Sequence, residues 1–392
     1  PQRMSSDPRG VPIVDLGTQY TQLIARRVRE AGTWCQITIP SKALEAAAGM
    51  DLGGIILSGG PSSVYDDDAP VVPEELLQMD VAVLGICYGM QWMCRTLGGE
   101  VKASDKREYG RVSMRVVRSE GPFRDIGGHT VVWMSHGDSV AALPAGFETY
   151  AESEDCPSAA AGDPARNLWG VQFHPEVSHS VRGREVLDNF LTHICGLQGD
   201  WKPDSIVDRE IAKIHQIVGE EGEVVLGLSG GVDSSVAAML LNKAIGPRLH
   251  CIFVDNGLLR KGEREAVERE FKEHLGMDLV VVDAGKRFLD KLAGVTDPER
   301  KRKIIGNEFV EVFREEAKAF KNAGYLGQGT LYPDVIESVN VHGGNTAVIK
   351  SHHNVGGLPD DLDMELVEPL RELFKDEVRT IGRFLGLDGT IV

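Results

Sequence analysis

The sequence has little positive charge and no long apolar segment. Its 392 residues include 42 lysines and arginines against 59 aspartates and glutamates, which gives a formal net charge of −17. This balance argues against a surface that coats nucleic acid or an anionic membrane. No run approaches the roughly 18 apolar residues of a membrane span, and Pro1 to Gly10 lacks the apolar core of a signal peptide. We therefore expect small-molecule ligands, with no nucleic acid, no membrane insertion and no secretion.

Paired cysteines are also missing. The six cysteines are scattered along the chain without a Cys-x-x-Cys pair. This spacing suits neither a disulfide framework nor a zinc ribbon, and a reducing, cytoplasmic location is the simpler interpretation. Neither internal repeats nor low-complexity tracts occur, so the chain is expected to fold into ordinary globular domains.

The length exceeds what one hydrophobic core usually serves, so two domains are expected. Short apolar strands alternate with amphipathic helices in two series, which is typical of βαβ units. The first series begins at Val11 and closes with a helix near Arg184 to Ile194. The second begins at Glu223 and ends with a helix over Arg371 to Leu385. The predicted fold class is α/β, with two doubly wound domains at 11–195 and 204–392 and a linker at 196–203.

One cysteine stands at a sharp join between an apolar strand and a helix, in Gly85-Ile86-Cys87-Tyr88-Gly89. Nucleophile elbows use this geometry to expose a reactive atom, and a helix N-terminus favours a thiolate. The base that such a nucleophile needs is available in His174, and Glu176 can orient its imidazole. The alternative is a buried structural cysteine with an unrelated loop histidine. The conjunction of the segments favours a Cys87, His174 and Glu176 triad, and the other cysteines are interpreted as core or surface thiols.

A second glycine-rich turn, Ser58-Gly59-Gly60-Pro61, follows an apolar strand. An amide of Gly59 or Gly60, together with the Tyr88 amide, could face the oxygen that becomes negative when Cys87 attacks a carbonyl. An ordinary strand-ending turn is the alternative interpretation. Together with the nucleophile segments, this chain resembles a class I glutamine amidotransferase over about residues 11 to 195. The segments that carry the resemblance are Asp15 to Tyr20, Ser58 to Pro61, Gly85 to Gly89, Met134 to Asp138 and Gln172 to Glu176.

That resemblance implies a flavodoxin-like domain that hydrolyses glutamine through a thioester and releases ammonia. It also implies that Gln91 and Asp138 lie near the substrate. For His136, a structural role and a functional role remain equally open.

The second series opens with a loop suited to a phosphate chain, Ser229-Gly230-Gly231-Val232-Asp233-Ser234-Ser235, entered from a buried strand. Glycines allow close approach to an anion, and the hydroxyls and the amides of the following helix supply donors. The Gly-Lys-Ser/Thr end of a Walker A loop is absent. The loop resembles the signature of the ATP pyrophosphatase family, whose Rossmann-like domain cleaves ATP between its α and β phosphates. Asp233 can help hold Mg²⁺ there, and Val254, at the end of the next strand, is expected to border the adenosine.

Further polar segments suggest the rest of a nucleotide site. Lys350 suits a point-charge contact to the phosphates of ATP, and the segments Gln328 to Asp334 and Ile349 to Pro359 are interpreted as a ligand lid. Arg302 suits a second phosphate or a base carbonyl, although its charge run could also be a solvated helical face. Zinc at His352 and His353 is disfavoured, because neighbours on a strand point to opposite sides and no Cys/His set accompanies them.

With Leu366 to Arg379, these segments resemble the glutamine-hydrolysing GMP synthetase family over nearly everything from Val11 onward. The resemblance implies adenylylation of xanthosine monophosphate (XMP) and displacement of AMP by ammonia to give GMP, with ATP as substrate and Mg²⁺ as cofactor. It places Arg302, Gln328 and Asp334 on the XMP side. The family continues beyond the position of Val392 into a dimerisation domain, so we expect the complete enzyme to be a homodimer and this chain to be monomeric with an incomplete acceptor pocket.

Two alternatives remain at this stage. The chain could be another glutamine-dependent adenylylating ligase, although NAD synthetase is disfavoured because its glutaminase belongs to an unrelated nitrilase-like family. It could also be a catalytically silent sensor of glutamine or nucleotide, against which the intact Cys87, His174, Glu176 and Asp233 argue.

Overall fold

The structure is a computed structural model that describes residues 8–320, 322–338, 364–389 and 391–392. The chain divides into two compact units, Pro1–Lys202 and Pro203–Val392. Each unit is described by itself below.

The first unit combines a large sheet with flanking helices. Its strands are β1 (Arg9–Val14), β2 (Trp34–Thr38), β3 (Asp51–Leu52), β4 (Gly54–Leu57), β5 (Ala82–Ile86), β6 (Glu100–Val116), β7 (His129–Ala142), β8 (Glu148–Glu152), β9 (Ala160–Asp163) and β10 (Leu168–Val171). Its α-helices are α1 (Thr21–Glu30), α2 (Ala43–Ala48), α3 (Tyr88–Thr96) and α4 (Gly183–Asn189), the last continuing as a wider π-helical turn over Phe190–Ile194.

The sheet of the first unit is mixed. Its order is β2-β1-β4-β5-β10-β9-β8-β6-β7, with β3 paired to β1. The strands from β2 to β10 run parallel, while β9, β8, β6 and β7 form an antiparallel extension. Every residue of β4 and β5 is buried, as expected for parallel strands covered on both faces. The doubly wound arrangement predicted from the sequence therefore describes the parallel half of this sheet.

The pairing of β5 with β10 positions the two predicted reactive segments. Ile86 pairs with Val171 in parallel register, so the two strands end side by side. The residues that follow them therefore emerge at the same carboxyl edge, which is where ligands bind in open α/β sheets.

The second unit is built on a smaller sheet. Its strands are β11 (Glu223–Gly227), β12 (Leu249–Asp255), β13 (Asp278–Asp283), β14 (Ala323–Gly327) and β15 (Glu365–Val367). Its α-helices are α5 (Pro203–Val218), α6 (Val232–Ile245), α7 (Glu263–Val267), α8 (Gly285–Leu292), α9 (Pro298–Ala317), α10 (Tyr332–Ser338) and α11 (Lys375–Phe384). A π-helical segment, Glu268–His274, continues α7.

All recorded strand pairs of the second sheet are parallel, in the order β13-β12-β11-β14-β15. The central strand β11 carries Val224 and Val225, which have no exposed surface. The chain leaves β11 at the carboxyl edge and enters α6 through the predicted phosphate loop.

The last helix begins later than the sequence predicted. We expected a helix from Arg371 to Leu385, but α11 starts at Lys375. The residues before it form turns, with the Arg371 N–H donating to Glu368 O and the Leu373 N–H donating to Leu370 O. Pro369 has no N–H to donate to a helix, and the Phe374 N–H instead donates to the Glu377 side chain at 2.7 Å.

Candidate active sites

The turn between β5 and α3 holds Cys87 in a strained conformation. Its φ of 50° and ψ of −105° fall where non-glycine residues are rare, and such strain costs about 1–3 kcal/mol. The two glycines that flank it allow a close approach of the surrounding backbone. A Cβ added to Gly85 would lie 2.6 Å from Met90 N, and one added to Gly89 would lie 2.5 Å from Leu57 O. The elbow predicted from the Gly-x-Cys-x-Gly pattern is present.

The structure brings His174 and Glu176 to this elbow. The Cys87 N–H donates to Val171 O at 2.7 Å, which joins the elbow to the end of β10. His174 lines the same cavity as Cys87 and interacts with it electrostatically, and its Nδ1 lies 2.7 Å from Glu176 Oε1. Both His174 and Glu176 are buried. The three residues therefore form a continuous chain of contacts in the order nucleophile, base and carboxylate.

The electrostatics of this chain favour a protonated imidazole. Burial lowers the pKa of His174, but hydrogen bonds to Cys87 and Glu176, and their negative charges, outweigh burial and raise that pKa to about 10. An imidazolium is therefore stable beside these partners. In this state, Nδ1 donates to the Glu176 carboxylate, which fixes the ring orientation.

Two further groups contact the thiol, and the sequence analysis did not single them out. Gln172 Nε2 donates to Cys87 Sγ at 3.6 Å, and the thiol donates to Ser135 O at 3.7 Å. Gln172 lies two residues before the base, a position that could have suggested it. All six cysteines are free and buried. Burial raises the pKa of Cys94 and Cys251 to about 12, so these are core thiols.

A cavity of about 530 Å³ opens in front of Cys87. Gly60, Gln91, Asp138 and His174 line it with Cys87, together with the unpredicted side chains of Thr18, Tyr20, Ser63 and Tyr109. Of the residues predicted to bind glutamine, Gln91 donates to the Asp138 carbonyl at 2.7 Å, and Asp138 Oδ2 accepts from Ser63 at 2.5 Å. The cavity thus presents the Asp138 carboxylate, which the Ser63 hydroxyl holds in position.

The second glycine turn also approaches the nucleophile. A Cβ added to Gly59 would lie 3.0 Å from His174 Cε1 and 3.6 Å from Cys87 Cβ. One added to Gly60 would lie 2.5 Å from Leu16 O. Tyr88 is the first residue of α3, where backbone amides have no intrahelical acceptor. Backbone groups of both segments are thus close to the thiol.

In the second unit, the predicted phosphate loop leads from β11 into α6. Its hydroxyls hold the loop together: Ser229 Oγ lies 2.9 Å from Ser234 Oγ, and both Ser234 and Ser235 donate to Gly231 O. Gly230 has a φ of 76°, a conformation that glycine adopts without penalty. The amides of α6 at this end carry the positive end of the helix dipole, which attracts phosphate.

Asp233, in the first turn of α6, has one carboxylate oxygen in use and one without a partner. Its Oδ2 accepts from Lys375 Nζ at 2.6 Å, a contact that the sequence analysis missed. Its Oδ1 is buried without a hydrogen-bond partner. A hard oxygen ligand of this kind fits Mg²⁺. The backbone of Gly329 packs against this point, since a Cβ added there would lie 3.3 Å from the Asp233 carbonyl carbon.

The remaining predicted nucleotide residues have different surroundings. Val254 is 3% exposed, so a contact to adenosine would have to use its backbone. The Gln328 N–H donates to Val367 O at 2.9 Å. Asp334 accepts from the Leu331 N–H at the start of α10, and Arg302 is an exposed residue of α9 that pairs with Glu299. Lys350 and the second segment of the predicted lid, Ile349 to Pro359, lie outside the described residues.

Comparisons with known proteins agree with both units. Residues 12–194 match the family "Glutamine amidotransferase class-I", and residues 206–291 match the family "NAD synthase". The chain is 52% identical over 382 residues to a glutamine-hydrolysing GMP synthase of Brachyspira hyodysenteriae, which covers 97% of this chain and 74% of the relative. It is 54% identical over 388 residues to the same enzyme of Alkalilimnicola ehrlichii, with 97% and 74% covered. The Phenylobacterium zucineum enzyme is 54% identical over 387 residues, with 98% and 74% covered.

The fold and the first site define a glutamine-dependent amidotransferase, in which a class I glutaminase unit is joined to an ATP-pyrophosphatase-type unit. The identities of 52–54%, which extend over nearly the whole of this chain, then show which of these enzymes it resembles. The chain belongs to the glutamine-hydrolysing GMP synthase family, a family of ligases.

Within the part of the chain that the structure describes, no helix is both long enough and apolar enough to cross a membrane.

Proposed function

We propose that this chain hydrolyses glutamine in its first unit and uses the ammonia in its second unit to aminate XMP. ATP activates XMP by adenylylation, ammonia displaces AMP, and GMP and pyrophosphate are the other products. The observation that carries the proposal is the contact chain from Cys87 through His174 to Glu176, at a strained elbow that opens on a cavity. Family membership supplies the substrates.

In the proposed glutaminase step, Cys87 attacks the side-chain amide carbon of glutamine. His174, protonated at rest, gives its proton to the departing ammonia and then takes one from the water that attacks the thioester, while Glu176 holds the imidazole in position. The amides of Tyr88 and of Gly59 or Gly60 stabilise the oxyanion. Gln91 and Asp138 form the glutamine pocket, with the Asp138 carboxylate suited to the α-ammonium group. Water then releases glutamate from the thioester.

In the proposed ATP step, the loop from Ser229 to Ser235 binds the phosphate chain. Support comes from its positive φ at Gly230 and from its place at the start of α6. Asp233 would hold Mg²⁺ through its unpartnered oxygen. When bound, this ion supplies positive charge that stabilises the leaving pyrophosphate. Lys350 would contact the phosphates, and the backbone of Val254 would border the adenosine.

For XMP, we keep Arg302, Gln328 and Asp334 as the proposed contacts. Asp334 already caps a helix and Arg302 is exposed, so Gln328, at the carboxyl end of β14, has the most favourable position of the three. We also propose that the full-length protein is a homodimer that acts in the cytoplasm.

The division of labour can be tested by replacing the nucleophile in the full-length protein. Cys87→Ala should abolish GMP formation from glutamine and leave formation from an ammonium salt close to the parent rate. Cys94→Ala, which removes a buried thiol from the helix that follows Cys87, is the matched control and should retain both activities. Loss of the ammonium-dependent activity in folded Cys87→Ala would contradict the proposal, and absence of turnover in the parent would favour a sensor.

A further inference from the structure

A buried polar cluster lies behind the glutamine cavity and takes no part in the proposed chemistry. Glu108 of β6 is paired in register with His136 of β7, and Cys156 follows β8. Ser153 ties this loop to the hairpin, because its hydroxyl donates to Glu108 Oε1 at 2.9 Å and accepts from the Cys156 N–H at 3.0 Å. Glu108, His136 and Cys156 are 7%, 5% and 0% exposed.

The polar side-chain atoms of this cluster lie close together but do not satisfy one another's hydrogen bonds. One ligand atom from each of the three side chains lies within 4.8 Å of the others. His136 Nε2 is 3.2 Å from Glu108 Oε2, and the Asp138 backbone also approaches the ring, but neither contact has good hydrogen-bond geometry. Each unsatisfied buried group costs about 1–3 kcal/mol. Several such groups facing one point indicate a missing partner.

The ligand types of the cluster suit a cation. Among the described residues, the ion pair recorded for Glu108 is with His136 alone. An imidazole, a carboxylate and a cysteine sulfur are ligand types that Zn²⁺ takes in proteins. A buried water could also satisfy the hydrogen bonds, and measuring bound metal distinguishes the two occupants.

We propose that Glu108, His136 and Cys156 form a zinc site. Metal–ligand distances of about 2.0–2.3 Å place tetrahedral ligands about 3.3–3.8 Å apart, which small side-chain movements within the observed 4.8 Å can reach. Zn²⁺ sheds waters as it binds. The Cys156 thiol, whose pKa burial raises to about 12, releases its proton to solvent as the sulfur–metal bond forms. No electron is transferred, and one water can complete the coordination.

Zinc there would link three chain segments behind the glutamine cavity. It would join β6, β7 and the loop at Cys156, and His136 itself lines the cavity. The role is therefore structural: the metal holds the cavity wall on which Ser135 and Asp138 are carried. This inference does not depend on the identity of the acceptor nucleotide.

The first experiment measures the metal directly. Full-length protein is treated with chelator, incubated with zinc, desalted and analysed by elemental mass spectrometry, with one zinc per chain expected at the site. Cys156→Ser and Glu108→Gln should lose that zinc. Cys251→Ser, which replaces an equally buried thiol in the second unit, should retain it. The double variant His352→Ala with His353→Ala should also retain it, which separates this site from the other histidine pair.

The second experiment keeps the proposal testable if the variants fail to fold. Unaltered protein reconstituted with Co²⁺ should show the visible bands of tetrahedral cobalt and a sulfur-to-cobalt charge-transfer band. Substoichiometric zinc after loading, a cobalt spectrum without the sulfur band, or full zinc retention by Cys156→Ser would each overturn the assignment.

Discussion

Lys375 Nζ lies 2.6 Å from Asp233 Oδ2, so the first residue of α11 neutralises the carboxylate of the phosphate loop. This pair leaves Asp233 Oδ1 available for a cation. Removing the ammonium leaves the carboxylate uncompensated beside the triphosphate. We expect Lys375→Met to lower ATP-dependent AMP and pyrophosphate release by about 10²–10³-fold, the effect of losing one well-placed electrostatic group.

This defect should be independent of the nitrogen source, because both glutamine and ammonium feed the same activated nucleotide. Lys286→Met is the control, since Lys286 is an exposed residue paired with Asp290 four positions on. Pyrophosphate release by Lys375→Met at the parent rate would show that the ion pair is not used in catalysis.

The strained backbone at Cys87 predicts a conflict between stability and activity. Glycine adopts a φ of 50° without the steric cost that other residues pay there, about 1–3 kcal/mol. Glycine also gives the unfolded chain more conformational freedom than alanine does, but this lowers the free energy of unfolding by only about 0.4–1 kcal/mol. We expect Cys87→Gly to be more stable than Cys87→Ala by about 1 kcal/mol, with both variants inactive on glutamine.

Tryptophan fluorescence during denaturation is the suitable measurement. All five tryptophans precede Pro203, so the signal reports unfolding of the first unit. Equal stability of the two variants would mean that the elbow relaxes when the thiol is removed.

The raised pKa of His174 predicts a stability that falls at high pH. Relative to an ordinary value of 6.5, folding raises this pKa to about 10. The associated stabilisation is fully present below pH 6.5 and is lost as the pH rises through about 10. The free energy of unfolding of the parent minus that of His174→Asn should therefore decrease over this interval. A difference that is constant or increases with pH would contradict the imidazolium assignment.

Gly59 tests the role of the second glycine turn. An added Cβ would lie 3.0 Å from His174 Cε1, so Gly59→Ala should displace the imidazole and the adjacent amide. We expect kcat for glutamine to fall by about 10²–10³-fold, in the range reported for loss of an oxyanion donor. Gly127→Ala is the control, because Gly127 does not line the cavity and an added Cβ there would make only an ordinary contact with Ser119 Oγ at 3.4 Å. Unchanged kcat in Gly59→Ala would remove this turn from the mechanism.

The elbow could be predicted from the sequence because its constraints are local. Gly85 and Gly89 are required by contacts with atoms a few residues away or in the neighbouring strand, so the sequence pattern and the turn coincide. The approach of His174 follows from the parallel pairing of β5 with β10, which brings the ends of both strands to one sheet edge. The sequence analysis joined His174 to Cys87 only through the conjunction of their motifs. Relatives that align with nearly the whole of this chain confirm the family that these motifs indicated.

Long-range pairing could not be predicted in the same way. β9 is Ala-Ala-Gly-Asp, which lacks β-branched residues, and it is a strand because β8 and β10 both pair with it. The Lys375–Asp233 pair joins residues 142 positions apart. The same holds for Glu108, His136 and Cys156, whose convergence depends on hairpin register and on a loop. Nothing in their local sequence indicates these contacts.

The difference in burial and surroundings among the cysteines should direct electrophiles to Cys87. Burial raises the pKa values of Cys94, Cys195 and Cys251 to about 12, which suppresses their thiolate forms at neutral pH. Cys87, by contrast, lines an open cavity beside a protonated imidazole. A single equivalent of a glutamine-shaped alkylating agent should therefore label one position, and the bound label would count the competent glutaminase sites in a preparation.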